Sequence, residues 1–259
     1  MERDPARKIP KIRYLSRREM LGLMGSATAA VAFVGCGGGE QSGQSGSGGT
    51  TSAPTVESAG TGTETASTCV VRPEQTEGPY FVDAGLNRSD IREESEGVPL
   101  DLIFNVSRID ASAACTPLAN ALVDIWQCDA LGQYSGVEGN TGETFLRGHQ
   151  VTDESGNARF TTIFPGWYQG RAVHIHFKIR DTPESERGYE FTSQLYFDDA
   201  LTDQVHTQEP YAEKGERDRT NSDDGIFQGG GDELLVPLTE NAQGYEGTFA
   251  IALDTAYLE

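Results

Sequence analysis

Between residues 100 and 254, apolar side chains fall in short runs, several of them alternating with polar neighbours, and each run is closed by Gly, Pro, Asn, Asp or Ser. A period of two, rich in Val, Ile, Phe, Tyr and Thr and bounded by turn formers, marks β-strands. Strands are therefore expected over Leu102–Asp110, Ala121–Asp129, Phe145–Asp153, Ala158–Phe164, Arg171–Arg180, Tyr189–Phe197, Glu233–Thr239 and Tyr245–Asp254. Glu154-Ser155-Gly156-Asn157 and Glu240-Asn241-Ala242-Gln243-Gly244 each have the turn chemistry of a hairpin between the strands they join. Helical periodicity is weak everywhere except Ala200–His206, long enough for about two turns. No repeat is visible. The expected fold is all-β, an antiparallel β-sandwich of about eight strands.

The first third of the chain follows different rules. Residues 1–19 carry seven Lys or Arg against three acids, and an apolar Gly/Ala-rich run from Leu21 to Gly35 ends at Cys36. A basic segment, a short apolar run and small residues at its end describe a secretory signal, too short to span a bilayer comfortably. Ser16-Arg17-Arg18-Glu19-Met20-Leu21 matches a twin-arginine address, and Val34-Gly35-Cys36 is similar to a lipobox, with Phe33 where that pattern prefers Leu. Residues 1–36 are thus expected to be a twin-arginine signal with Cys36 a lipidation site, and the product an exported protein of the cell envelope or exterior. Gly37 to Ser67 is mostly Gly, Ser, Thr, Ala and Glu, with Gln41, Gln44 and Pro54 and with Val56 its only larger aliphatic, the composition of a flexible linker. Residues 68–259 remain for one folded domain.

Removing the signal alters the charge picture. The whole chain carries −20 and residues 1–35 carry +4, so the rest carries −24. So acidic a remainder excludes nucleic acid and anionic membrane surfaces as electrostatic partners. After Cys36, three cysteines remain. Export favours a disulfide. Cys69 and Cys115 lie in polar, turn-like surroundings whereas Cys128 lies in an apolar run, which favours a Cys69–Cys115 bond, although the sequence permits all three pairings.

The candidate chemistry centres on His174-Ile175-His176. In a strand, both imidazoles project to one face and Ile175 to the other, a two-point metal grip in an otherwise apolar Ala-Val-His-Ile-His-Phe stretch. Pro165-Gly166-Trp167-Tyr168 places Tyr168 on the loop entering that strand, with Arg171 three residues before His174. A third stretch, Trp126 to Tyr134, runs a strand into a Gly turn. Taken one at a time, Tyr134 and Tyr168 read as ordinary packing residues. His149 and His206 are expected to be non-ligands, Trp126 core, and Asp129 a brace for the turn before Tyr134.

Taken together, Trp-x7-Tyr, Pro-Gly-x-Tyr and Arg-x-x-His-x-His resemble the intradiol ring-cleavage dioxygenases, and the likeness runs through Cys69–Glu259, from Gln75-Thr76-Glu77-Gly78-Pro79-Tyr80 to Thr192-Ser193-Gln194-Leu195-Tyr196-Phe197. The resemblance implies a prealbumin-like sandwich holding non-haem Fe(III) through Tyr134, Tyr168, His174 and His176, with Arg171 and Gln194 as active-site residues and Tyr80 near the mouth, touching substrate. It implies a catechol and O2 as substrates, a muconate-type diacid as product, and departure of one tyrosinate when a catechol dianion binds; Tyr168, on a loop, is the one expected to leave. The compact exported members also carry cysteines like Cys69 and Cys115. The chain departs from the pattern in a short loop between Tyr168 and Arg171, in lacking room for the catechol branch's helical dimerisation segment, and in Gln127 where compact members often have His; these bear on substrate and assembly, and the oligomeric state stays open. Two rival readings are a non-enzymatic binding lipoprotein on a tethered sandwich and a copper His-x-His enzyme. Neither accounts for all four ligand-type residues plus the arginine.

Overall fold

The structure is a computed structural model that describes residues 69–110, 112–137, 139–181 and 188–254. The expected signal with Cys36 and the expected linker lie outside the described residues.

Among the described residues nine strands form two sheets. The first contains β1 (Pro99–Ile109), β2 (Cys115–Pro117), β5 (Asn157–Ile163), β8 (Leu238–Glu240) and β9 (Tyr245–Asp254); the second runs in the order β4 (Arg147–Val151), β3 (Leu122–Trp126), β6 (His174–Arg180), β7 (Glu190–Tyr196). Among the described residues one α-helix of two turns, α1 (Asp199–His206), begins at Asp198, whose carboxylate accepts from the Leu201 amide. The alternation read from the sequence sets the inner faces. Leu100, Leu102, Phe104 and Val106 of β1 and Phe249, Ile251 and Leu253 of β9 meet Val123 and Ile125 of β3 and Ile175, Phe177 and Ile179 of β6 in one continuous core. Phe104 touches both Phe177 and Phe249, with ring centroids 5.3 and 5.9 Å apart.

Three expectations need correction. The sandwich is not wholly antiparallel, because β9 runs parallel to β1 over Leu100–Ile109. Alternation tells which side chains face the core but not the direction of the strand, and the long connection from α1 to β8 lets β9 enter from either end. Nor do β4 and β5 make a hairpin. The turn forms, with Asp153 accepting from the amides of Ser155 and Asn157 and Gly156 at φ +76°, but β4 pairs with β3 while β5 pairs with β1. The turn is pinned to β1 by the Val106 amide donating to Gly156 O, so it carries the chain between sheets. The expected strand Glu233–Thr239 begins only at Leu238, since Gly231–Leu234 closes a run of four 3-10 turns. β2 lacked any apolar alternation to announce it.

Cys69 is bonded to Cys115, with Cα atoms 5.5 Å apart and a sequence separation of 46, and Cys128 is a buried free thiol. Closing a loop of that length should contribute about 2–4 kcal/mol. Reduction, or Cys115→Ser, is expected to lower the urea midpoint accordingly; an unchanged midpoint would show that the bond adds nothing.

Candidate metal centre

The outer face of the second sheet carries the chemistry. Because β6 alternates, His174, His176, Lys178 and Arg180 project away from the core while Ile175, Phe177 and Ile179 face it. Opposite them on β7 stand Tyr196 and Gln194, paired with His174 and His176. The chain before β1 lies across this face as an arm. Lys178 pairs with Glu77 and Glu190, Arg180 with Asp83 and Asp124, and the Gln75 amide donates to Thr192 O.

Within that frame the structure brings Tyr134, Tyr168, His174 and His176 together. His174 Nε2 is 3.0 Å from His176 Nε2 and 3.2 Å from Tyr168 Oη. The Tyr134 ring lies 5.7 Å from the Tyr168 ring and 6.3 Å from that of His176. His174 Nδ1 donates to Ala172 O at 2.6 Å, which fixes the tautomer and leaves Nε2 bare toward the cluster. Tyr134 Oη is buried and makes no hydrogen bond. Burial pushes the Tyr134 phenol well above its usual range and that of Tyr168 up to about 12, and it lowers the His174 imidazolium to about 3 and that of His176 well below its usual range. Without a cation the four groups are neutral, and an unpartnered buried hydroxyl is costly.

This donor set fits a metal ion. Metal–imidazole bonds of about 2.1 Å meeting near a right angle leave their nitrogens about 3.0 Å apart, the separation seen between the two Nε2 atoms. Phenol oxygens ionise readily only beside a strong positive charge, which a trivalent ion supplies. Among the described residues no three of His, Cys, Asp or Glu converge to hold a metal.

Two loops deliver the phenols and interlock. Tyr134 lies past the end of β3 on a turn that Asp129 braces, its carboxylate accepting from the Leu131 and Gln133 amides. Tyr168 lies on the loop between β5 and β6. A side chain on Gly166 would collide with the backbone oxygens of Asp129 and Ala130, so only glycine lets the two loops touch. Lys214 caps the junction, donating to Leu131 O and lying over the Trp167 ring.

Arg171 reaches the same cluster. Its Nη1 is 3.4 Å from Tyr168 Oη, Nη2 donates to Gln194 Oε1, and Nε donates at 2.8 Å to Asp224. Gln194 in turn donates to Thr76 O, and Tyr196 Oη to Gln75 Oε1. Tyr80 stacks on Tyr134 with ring centroids 4.4 Å apart. His149 sits on β4, and His206 bonds Pro165 O, so neither joins the cluster.

Several residues escaped the sequence reading. Asp224 is buried and anchors both Arg171 and the Ala172 amide, yet it sits in an unremarkable polar stretch. Trp126, expected as core, belongs to a separate small cluster and stacks flat on His176, centroids 4.9 Å apart. Gly78, at φ +71°, presses on His176, where an added Cβ would lie 3.2 Å from Cε1. Its signal was present, since a glycine before proline marks a turn, but nothing placed it over the histidine. Gln127 is buried, its amide donating to Ile163 O.

The fold and site define a two-sheet β-sandwich with a histidine–tyrosine cluster on one outer face. Residues 76–219 match the family described as Dioxygenase, and the chain belongs to the intradiol ring-cleavage dioxygenases. It is similar to a chlorocatechol 1,2-dioxygenase of Pseudomonas putida, 30% identical over 144 residues, 47% of this chain and 52% of that one. Among solved structures it resembles an intradiol ring-cleavage dioxygenase from Tetranychus urticae (TM-score 0.64, 32% identity, 72% of this chain and 95% of that). It also resembles the dioxygenase domain of a dioxygenase carbohydrate-binding fusion from Streptomyces sp. SirexAA-E (TM-score 0.51, 31% identity, 71% and 98%). The chain spans about half the length of the curated relatives it matches.

Proposed function

We propose that this chain is an Fe(III)-dependent intradiol dioxygenase that inserts both atoms of O2 into a catechol and opens the ring between the hydroxyls to a muconate-type diacid. The observation that carries this reading is the approach of His174 Nε2, His176 Nε2 and Tyr168 Oη within 3.0 and 3.2 Å, beside the orphaned Tyr134 Oη. Tyr134, Tyr168, His174 and His176 would hold the ion; when bound, it supplies the Lewis acidity that lets a catechol bind as a dianion and donate electron density toward O2.

The chain's own residues divide the remaining work. Tyr134 is buried under Tyr80 and has no room to move. Tyr168 is half-buried, next to exposed Gln169 and Gly170, so it is the phenol able to yield its place and take a substrate proton on Oη. Arg171 is held by Asp224 and Gln194 rather than by Tyr168 alone, so it stays in position when Tyr168 moves. Its guanidinium then faces the negative charge that develops on the ring, a preorganised donor of the kind that gives about 10²–10³ in rate. Tyr80 offers an aromatic wall against which the substrate ring packs.

The same reading has residues 1–36 directing export by the twin-arginine route, Cys36 carrying a lipid, and residues 37–67 tethering the 68–259 domain. The composition of those segments supports it.

One preparation from the native host tests both parts. Expected are about one iron per chain, a visible tyrosinate-to-iron absorption, oxygen uptake with one or more catechols, a ring-opened diacid by mass, and a lipid-modified Cys36 at the mature N-terminus. Tyr168→Phe should bind iron with an altered absorption and turn over more slowly. Protein free of iron, or a catechol panel yielding no diacid, rules out the enzymatic reading; an unmodified soluble N-terminus rules out the tether.

A further inference from the structure

Arg147 opens β4 and is 3% exposed, yet among the described residues no carboxylate pairs with it. An isolated buried cation is expensive unless its donors are satisfied, and an unpaired one invites replacement by an apolar residue. Its donors all go to neutral oxygens on two other segments. Nε donates to Ser135 Oγ at 2.8 Å, Nη2 to Ser135 O, and Nη1 to Tyr80 O at 3.2 Å. Ser135 Oγ passes the link on to Phe145 O.

The two segments so joined are the ones that fix Tyr134. Ser135 is its chain neighbour, and Tyr80 is the ring stacked on it at 4.4 Å and 22°. Tyr134 Oη makes no hydrogen bond of ordinary geometry; it interacts with the Tyr168 phenol, the group proposed to leave, so in the metal-free protein that contact does not fix its direction. Orientation must come from its backbone and from the ring above it, and Arg147 grips both. Gly136, next along the turn, lies against the guanidinium, where a Cβ would be 3.6 Å from Cζ.

We propose that Arg147 is a positioning residue of the metal centre, a fork that clamps the Tyr134 turn to the N-terminal arm so that the Tyr134 phenol and the Tyr80 ring keep one fixed geometry. The inference rests on the ligand role proposed for Tyr134. A lysine cannot replace it, because one ammonium cannot span donors fixed in a plane to two segments.

Two readouts on the full-length protein separate the clamp from that ligand role. In metal-free protein, amide exchange over residues 78–82 and 133–137 is expected to rise at least tenfold in Arg147→Lys and, more mildly, in Ser135→Ala, while exchange across β6 and β9 stays at the wild-type rate. In iron-loaded protein, Ser135→Ala and Arg147→Lys should bind iron but shift the visible absorption and lower kcat by about tenfold, with KM changed less. Ser135→Ala removes one acceptor of the fork and the hydroxyl's bond to Phe145 O while leaving the arginine in place, so it reports even if the arginine variant fails to fold. Unchanged exchange in both segments in Ser135→Ala, or a rise spread evenly over all strands, overturns the clamp. Wild type without the visible absorption overturns the ligand role of Tyr134 instead, and the exchange result still stands.

Discussion

His176→Ala is expected to lose iron and, with it, turnover by on the order of 10³ or more. Removing a group that merely orients a metal ligand costs about 10–100-fold, and His176 is proposed as a ligand itself. Its Nε2 faces that of His174 at 3.0 Å, and its ring is sandwiched between the Trp126 indole and Gly78. The alanine therefore also leaves a cavity beneath Trp126, destabilising the fold by about 2–4 kcal/mol. The two effects are separable, since metal content is measured on the folded fraction at low temperature. His149→Ala, on β4 and outside the cluster, should keep iron and rate. A His176→Ala protein with full metal content and activity would remove the proposed centre.

The second large effect is expected at Arg171. Arg171→Met should retain iron and lower kcat by about 10²–10³, roughly 3–4 kcal/mol of transition-state stabilisation, with KM for the catechol changed much less. The reason lies in the fork: Nη1 is near Tyr168 Oη, while Nε and Nη2 are committed to Asp224 and Gln194. Arg171→Lys should not restore the rate, because a lysine cannot keep both anchors and still face the site. Asp224 keeps the amides of Ala172 and Ile226 as partners in either variant, so the fold should survive. If Arg171→Met turns over like wild type, the ring's negative charge is stabilised by other groups.

Much of this was legible in the sequence because local rules and tertiary demands agree there. Tyr245–Asp254 was read to the residue, since every second side chain of β9 enters the core. His-x-His on a strand left only one geometry for its imidazoles, and Asp129 braces its turn as short Asp side chains do. What failed needed information that no local pattern carries. The parallel pairing of β9 with β1 depends on the path of the chain through 3-10 turns that have no periodicity. The Asp153–Asn157 turn has hairpin chemistry, but the sheets, not the turn, choose the partners. Asp224 and Arg147 act through contacts across 53 and 67 residues, and their neighbours in sequence give no sign of it.

The arm that roofs the proposed metal centre has a mechanical consequence. Its first described residue, Cys69, upstream of Gly78 and Tyr80, is joined covalently to Cys115 on β2, the strand paired with β1. The Ala252 amide then ties Val70 O to β9. A pull applied at Cys69 is thus borne by the first sheet before it reaches the roof, and the aromatic stack over Tyr134 is shielded from it.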